Sequence, residues 1–309
     1  MGRAERVRPM TRPVNLSVVI PSVNGAPILL ECLDALRAEA NSGIAIEMLV
    51  VDRCGDGVRR AVRERFPEAT ILPIGRGATI PEMRALAFDQ ARADAVAVIE
   101  DHVLVPSGWA RQMLETLAAG HDVVGGTVRN AATERLVDWA AFLCEYSHLL
   151  PPIPAGDVEW LTGNNVAYRR AVLEKYRAVV SEGRWEDHLH AAMRRDGVVL
   201  FCRPDIVVGH KMHYRVRDYV SQRFLYSRSY AGQKRAEMSP ARRAVMAMGT
   251  LALPPVLLFR IVQRVLAKRT HRAELVRAVP LLIVFVCAWA FGEIVGYAAG
   301  PGDAMSRVT

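Results

Sequence analysis

Residues 16–21 read LSVVIP, residues 46–51 read IEMLVV and residues 95–99 read AVAVI. Each stretch is a short apolar run rich in β-branched residues, which predicts a buried strand. A further short strand is expected at residues 70–73. The segments between these strands carry apolar residues at helical spacing, over residues 27–40, 58–66 and 80–93.

Strands that are apolar on both faces and alternate with helices are typical of an α/β domain, in which helices cover both faces of a mostly parallel sheet. After Trp109 the pattern becomes more mixed. The same criteria predict helices over 107–119, 170–180 and 186–196, and strands over 122–128, 198–201 and 206–208. We therefore expect a disordered lead-in at residues 1–14 and one α/β domain over residues 15–213.

The composition narrows the class of protein. The chain has 309 residues, of which 51% are hydrophobic, and a net charge of +8, so it has enough apolar residues for a folded core. Its five cysteines are scattered without a CxxC pair, which argues against a disulfide framework or a zinc site. The basic residues lie beside apolar segments, and no stacking aromatic motif is present, so nucleic acid is not an expected partner.

Residues 214–243 hold much of the positive charge. Val216, Tyr219, Val220 and Phe224 repeat there at helical spacing between arginines and lysine. This pattern predicts a basic amphipathic helix that lies on an anionic membrane surface. The alternative is a basic helix that packs on the α/β domain.

Two uncharged runs follow, 16 residues at 244–259 and 15 residues at 278–292. A full span needs about 20 residues. The first run is short and contains Pro254 and Pro255, and basic residues flank it on both sides, which favours re-entry for the first run and a true span for the second. Residues 244–300 are therefore expected to form a membrane-associated hairpin or two transmembrane segments, and residues 301–309 a tail.

Three polar clusters come directly after predicted strands, at residues 21–24, 52–53 and 100–102. In parallel sheets, ligands bind beyond the carboxyl ends of the strands, so these clusters are expected to converge on one crevice. Glu100 and His102 have the spacing needed for two ligands of one divalent ion, which neutralises a diphosphate leaving group. Glu186 and Asp187 begin a predicted helix, where the helix dipole keeps a carboxylate ionised and able to serve as a general base.

Five segments, in order, carry a family resemblance: SVVIPSVN, MLVVDRCGDG, IPEMRALAFDQARADAVAVIEDHVLVPSGW, TGNNVAYRR and WEDHLHAAMRRDG. Together they resemble the family 2 glycosyltransferases of GT-A fold over about residues 15–213. The resemblance implies an α/β fold of the GT-A type that binds a nucleotide sugar. Glu100-Asp101-His102 stands where the family has its DxD motif, as an EDH variant.

The resemblance also implies roles for individual residues. Asp187 is similar to the family's catalytic base, and Glu186 precedes it in the same ED motif. Glu100, His102 and His210 are the implied metal ligands, and because histidine is a softer ligand than aspartate, manganese suits them better than magnesium. The residues implied in donor binding are Pro21, Ser22, Asn24, Asp52, Arg84, Asp101, Gly163, Asn164 and Asn165.

These features predict an inverting glycosyltransferase that moves one sugar from a nucleotide sugar to a lipid-linked or polyprenyl-phosphate acceptor. The QxxRW motif of processive synthases is absent, so polymerisation is not expected. The expected location is the inner membrane, with the catalytic domain in the cytoplasm. Two alternatives stay open: a catalytically inactive scaffold of the same fold, and another nucleotide-binding transferase such as a nucleotidyltransferase.

Overall fold

The computed structural model describes residues 13–308, so residues 1–12 of the expected lead-in, and residue 309, lie outside the described part. The strands are β1 (Leu16–Ser22), β2 (Ile46–Asp52), β3 (Thr70–Pro73), β4 (Ala95–Val98), β5 (Val103–Leu104), β6 (Val123–Asn130), β7 (Gly156–Asp157), β8 (Val166–Arg169) and β9 (Leu200–His210).

The helices alternate with these strands and then follow them. They are α1 (Ala26–Ala40), α2 (Asp56–Arg65), α3 (Ile80–Phe88), α4 (Trp109–Ala118), α5 (Leu136–Tyr146), α6 (Arg170–Lys175), α7 (Arg177–Ser181), α8 (Glu186–Arg195), α9 (Val216–Arg235), α10 (Pro240–Gly249), α11 (Leu253–Lys268), α12 (Arg272–Ala299) and α13 (Ala304–Arg307). A short 3-10 turn, Thr250–Ala252, joins α10 to α11.

One nine-stranded sheet runs through the domain in the order β3-β2-β1-β4-β8-β6-β9-β5, with β7 also on β9. Strands β1 to β4 pair in parallel, as do β6 and β9, and β8 runs antiparallel between β4 and β6. The predicted α/β class with a mostly parallel sheet and flanking helices is confirmed, since the longest ladders are parallel.

Alternation along β1 distributes its side chains between two cores. Leu16, Val18 and Ile20 join the core that includes α1, α4 and α5, whereas Val19 joins the core of α3 and α8 on the other face. A strand buried on both sides in this way needs apolar residues at nearly every position, which is why LSVVIP reads as an uninterrupted run.

The structure corrects several predicted boundaries. The helix expected over residues 80–93 ends at Phe88, and the two strands expected between residues 198 and 208 form the single strand β9. Pro204 lies in β9 where the register with β6 shifts, and a bulge is one of the few places where a sheet accepts proline. Strand β8 lies in the TGNNVAYRR segment, for which no strand was predicted.

The C-terminal helices pack on the α/β domain. Helix α9 buries Tyr219 and Leu225 against the rest of the protein, as expected for the alternative of a helix packed on the domain. Helix α12 lies against α9 at Gly292 and Gly296. A Cβ atom at Gly292 would lie 2.0 Å from Ser227 Oγ, so glycine permits this close approach.

Candidate active site

The three predicted metal ligands are Glu100, His102 and His210, and we call them the metal-ligand group. They come together at the carboxyl end of β4. Glu100 and His102 follow that strand, and the antiparallel pairing of β5 with the end of β9 brings His210 beside them. Their ligand atoms lie within 4.8 Å of one another. His102 Nε2 is 3.0 Å from His210 Nε2 and 3.3 Å from Glu100 Oε2.

Asp101 lies beneath this group and is fully buried. Its carboxylate accepts hydrogen bonds from the backbone amides of Val23 and Asn24, at 2.7 and 2.8 Å, and from Asn24 Nδ2 at 2.8 Å. Its Oδ1 is 3.1 Å from His102 Nδ1. Asp101, which the sequence suggested as a donor contact, therefore fixes the loop after β1 and orients the His102 ring, as carboxylates behind metal-binding histidines do.

The pKa values of the two histidines shift in opposite directions. Burial opposes protonation of His102, but Asp101 and Glu100 outweigh it and raise the pKa of His102 to about 10. Burial, and then the neighbouring His102, lower the pKa of His210 well below its usual range. One carboxylate and two imidazoles that share a centre fit a divalent ion that accepts both oxygen and nitrogen ligands, which Mn²⁺ does more readily than Mg²⁺.

The polar residues that end β1 and β2 form the predicted crevice next to this group. Ser22 pairs with Asp52 in the sheet, and Ser22 Oγ donates to Asp52 Oδ1 at 3.2 Å. Asp52 also accepts from the amides of Cys54 and Gly55, both at 3.1 Å. The loop after β1 that follows Pro21 reaches the metal-ligand group through Asn24, so the expected convergence of strand ends is present.

Residues 301–308, which we call the distal segment, cover part of this crevice. Arg53 Nη1 donates to the carbonyl oxygens of Ala78, at 2.7 Å, and Ser306, at 3.0 Å, and Arg53 Nη2 donates to the carbonyl of Val308. Ala304 and Val308 are buried in a small apolar cluster that also contains Ile80 and Trp185. No sequence pattern indicated that the tail returns to the strand ends.

Arg84, Glu186 and Gly163 form one buried network. Arg84 Nη1 is 2.8 Å from Glu186 Oε2, and Arg84 Nη2 donates to the Gly163 carbonyl at 3.1 Å. The Gly163 amide donates to Glu186 Oε1 at 3.0 Å. Burial raises the pKa of Glu186, but the Arg84 guanidinium outweighs this effect and the net shift is downward. Glu186 thus holds Arg84 and the Gly163 loop in place.

The two asparagines after Gly163 point in different directions. Asn164 faces the metal-ligand group, with Nδ2 3.4 Å from Glu100 Oε2. Asn165 was predicted to contact the donor sugar, but its Nδ2 donates to the carbonyls of Thr127 and Ile206, both at 2.9 Å. Its Oδ1 accepts from Trp109 Nε1 at 3.0 Å. The structure therefore places the Asn165 side chain inside the sheet and not in the crevice.

Asp187 lines an open cavity of about 310 Å³ that extends from the metal-ligand group to helix α12. Burial, and then the neighbouring Glu186 carboxylate, raise the pKa of Asp187, while Lys234 and the Tyr230 hydroxyl act in the opposite direction. The remaining walls are largely aromatic and include Tyr146, Trp160, Trp185, Tyr226, Tyr230 and Trp289.

A buried arginine that the sequence did not single out as functional also lines this cavity. Arg223, on α9, is 3% exposed, and its guanidinium centre lies 4.5 Å from the Tyr226 ring and 4.2 Å from the Trp289 ring. Its Nη1 is 3.4 Å from Glu145 Oε2. Aromatic residues at positions 219, 226 and 230 lie on the same side of α9 as Arg223. This helical spacing is the sequence pattern from which a buried role for Arg223 could have been predicted.

The order and pairing of the strands define a GT-A fold, the class of nucleotide-sugar transferases. Residues 17–177 match the family model for glycosyl transferase family 2, so the chain belongs to that family of glycosyltransferases. The match ends before Asp187 and His210. A search of curated proteins found no match.

Among solved structures, the chain is similar to a mannosyltransferase from Pyrobaculum calidifontis in complex with GDP-Man and Mn²⁺. The two share 19% sequence identity with a TM-score of 0.53, over 93% of this chain and 88% of that one. At this level of identity the likeness shows a common fold.

Proposed function

We propose that this glycosyltransferase is inverting and non-processive, and that it transfers one sugar from a nucleotide sugar to a lipid-linked or polyprenyl-phosphate acceptor at a membrane. The observation that carries the proposal is the cavity itself. It joins Glu100 of the metal-ligand group, Asp187, and Trp289 of the apolar helix α12 in one open space. A lipid acceptor bound in this cavity would have its reactive group beside Glu100 and Asp187 and its hydrocarbon chain beside α12.

In this proposal Asp187 is the general base. Its raised pKa makes it a stronger base than an exposed aspartate, and it would take a proton from an acceptor hydroxyl or align an acceptor phosphate that is already ionised. The acceptor oxygen attacks the anomeric carbon in line with the leaving nucleoside diphosphate, and one displacement inverts that carbon. Arg223 is a buried cation that would bind an anionic acceptor group. Its carboxylate partner in the structure is Glu145, and Arg223 Nη1 lies 3.4 Å from Glu145 Oε2.

The donor diphosphate would be bound beside Glu100, His102 and His210. These residues would hold Mn²⁺ or Mg²⁺, and the ion would stabilise the negative charge that develops on the diphosphate. Pro21, Ser22, Asn24 and Asp52 remain the proposed nucleotide-side contacts. The complex of the Pyrobaculum enzyme with GDP-Man and Mn²⁺ makes GDP-mannose the first donor to test.

The membrane placement is supported by two helical stretches, Pro240–Lys268 and Arg272–Ala299, that are long and apolar enough to cross a bilayer by length and composition. Residues Val245, Met248, Leu251, Phe259, Val276 and Phe291 on these stretches are each at least 60% exposed. Large exposed apolar patches mark protein or membrane interaction sites. We propose the cytoplasmic face of the inner membrane as the location.

The test uses the purified full chain in anionic vesicles with and without a polyprenyl phosphate. Nucleotide sugars labelled in the sugar are supplied with MnCl₂ or with EDTA, and label is measured in the lipid phase. The proposal predicts metal-dependent transfer of a single sugar from one donor, with the product anomer opposite to that of the donor. Label that stays in the aqueous phase with every donor, or a product of retained configuration, contradicts it.

Two variants test the metal site separately. Glu100→Gln removes a proposed ligand and is expected to lower turnover at limiting Mn²⁺ more than at saturating Mn²⁺. Glu115→Gln changes an exposed glutamate on α4 and is the matched control, expected to behave as wild type. An unchanged Mn²⁺ dependence in Glu100→Gln would show that the ion is bound elsewhere.

A further inference from the structure

Helix α12 lies along the protein with one face buried and the other exposed. Leu275, Ala278, Leu282, Phe285 and Val286 are buried in the same core as α5. The opposite face forms a stripe of exposed residues at helical spacing: Arg272, Ala273, Val276, Arg277, Pro280, Ile283, Val284, Cys287 and Phe291. The helix is therefore covered by protein on one side over most of its length.

Both ends of α12 contact the rest of the protein. Just before its first turn, the His271 ring lies 4.6 Å from the Trp139 ring of α5, and Lys268 Nζ donates to the His148 carbonyl at 3.3 Å. At its last turn, Arg228 Nε of α9 donates to the Gly300 carbonyl at 3.2 Å. The distal segment that follows reaches Arg53 in the crevice at the strand ends.

These contacts are incompatible with a span. A helix of 28 residues is about 42 Å long, and a bilayer core is about 30 Å thick, so a span would place the two ends on opposite sides of the membrane. Trp139 and Arg53 belong to the same α/β domain, which lies on one side. Helix α12 can cross a bilayer only if one set of these contacts is broken.

The exposed face has the chemistry of a membrane surface and not of a protein interior. Its apolar residues include Val245, Met248, Phe259, Val276 and Phe291, which are between 60 and 71% exposed. Exposed arginines lie among them on the same three helices: Arg242, Arg260, Arg272 and Arg277. Apolar side chains enter the headgroup and acyl boundary while arginines bind anionic headgroups, which is the pattern of an interfacial helix.

We infer that α10, α11 and α12 dock flat in one leaflet of an anionic bilayer and that neither apolar stretch crosses it. This attachment differs from the predicted span at 278–292 and places the cavity mouth at Trp289 beside the lipid surface. The inference rests on the membrane location in the proposed function, but not on the metal, the donor or the role of Asp187.

The first test compares the two ends of α12. Glu274→Cys and Ala299→Cys place a thiol near either end of α12 and outside the exposed stripe, and Val199→Cys places one on an exposed loop of the α/β domain. The full-length variants are bound to vesicles of phosphatidylcholine and phosphatidylglycerol and treated with a membrane-impermeant maleimide, and labelled peptides are identified by mass spectrometry. Flat docking predicts that all three sites are labelled from the side of the α/β domain. A span predicts that Glu274→Cys or Ala299→Cys is labelled only after detergent is added.

The native Cys287 provides a depth measurement, since it lies near the middle of α12 on the exposed stripe. A fluorophore on Cys287 is quenched by lipids that carry a nitroxide at different depths. Flat docking predicts strongest quenching by shallow nitroxides, about 5–10 Å below the headgroups. Strongest quenching at the bilayer centre would overturn the inference. A protein that does not bind vesicles and buries this face in a dimer would also overturn it.

The charge contribution is tested with Arg272→Gln and Arg277→Gln. Each change is expected to weaken binding to vesicles that contain phosphatidylglycerol by about fivefold and to have little effect on neutral vesicles. Arg60→Gln, on the far edge of the sheet in α2, is the matched control and should bind as wild type. Equal losses on neutral and anionic vesicles would show that these arginines do not bind headgroups.

Discussion

The ion pair between Arg84 and Glu186 is expected to be the strongest buried electrostatic coupling in the candidate site. Arg84 is 7% exposed, and its Nη1 lies 2.8 Å from Glu186 Oε2, whose side chain is 17% exposed. Removal of one partner from a buried pair leaves the other charge uncompensated and costs about 3–5 kcal/mol. Glu186→Gln and Arg84→Met are therefore each expected to lower the free energy of unfolding by that amount.

The double variant is expected to be more stable than the sum of the single changes predicts, because no buried charge is left unpaired. A double-mutant cycle should give a coupling energy of about 2–3 kcal/mol, near the upper end for contacting residues. The measurement is urea unfolding of the detergent-solubilised protein, followed by tryptophan fluorescence. The exposed pair Arg170 and Asp94, at 3.0 Å, is the control and should couple by less than about 1 kcal/mol. Additivity of the Arg84 and Glu186 changes would refute the network described above.

Three further predictions concern the base, the helix packing and the distal segment. Lys234→Met removes a positive charge that lowers the pKa of Asp187, so this pKa rises and the acid limb of the kcat profile moves to higher pH. Gly292→Ala would place Cβ 2.0 Å from Ser227 Oγ and is expected to cost about 1–3 kcal/mol in thermal or chemical unfolding. Ala304→Glu puts a charge at a fully buried position, so the distal segment should leave the crevice, and affinity for Mn²⁺-loaded nucleoside diphosphates measured by calorimetry should rise about tenfold.

Matched controls separate these effects from general damage. Lys175→Met changes an exposed lysine outside the cavity and should leave the pH profile where it is. Gly249→Ala adds a methyl group where nothing lies within 4 Å and should not destabilise the protein. Arg307→Gln changes net charge by the same amount as Ala304→Glu at an exposed position, and nucleotide affinity should stay constant. A fall in affinity for Ala304→Glu would mean that the distal segment helps to bind the nucleotide.

The fold was predictable from the sequence where the strands are buried on both faces of the sheet. The runs at β1, β2 and β4 are apolar at nearly every position, so length and β-branching alone predict strands. Strand β8 has only Val166, Ala167 and Tyr168 as apolar residues, and its antiparallel pairing with β4 and β6 depends on partners far away in sequence. Tertiary pairing, not local pattern, makes it a strand.

The candidate site likewise contains some residues that the sequence indicated and others that only the tertiary structure places there. Glu100 and His102 were indicated by their spacing after a strand, and the structure brings both together with His210. Asp101 is also a carboxylate, but its side chain points toward the loop after β1 because it accepts three hydrogen bonds from that loop. Arg223 comes from a helix more than a hundred residues further along, and only the packing of α9 and α12 places it in the cavity.

The length and apolarity of α12 predicted a span for a physical reason. Between Arg277 and Glu293 the helix carries no charged residue on either face, so a helix between protein and lipid resembles a spanning helix there. Sequence composition does not distinguish these environments. The inferred flat docking rests on the contacts of His271 with Trp139 and of the distal segment with Arg53.

The most direct test of the proposed mechanism is a comparison of donor binding and sugar transfer in wild type and Asp187→Asn. Both proteins are bound to anionic vesicles that contain the acceptor lipid, with Mn²⁺ present. If Asp187 is the base, the variant binds the nucleotide sugar with unchanged affinity and transfers sugar to lipid at least about a hundredfold more slowly. Transfer at the wild-type rate by Asp187→Asn would contradict the assignment and require another base in the cavity.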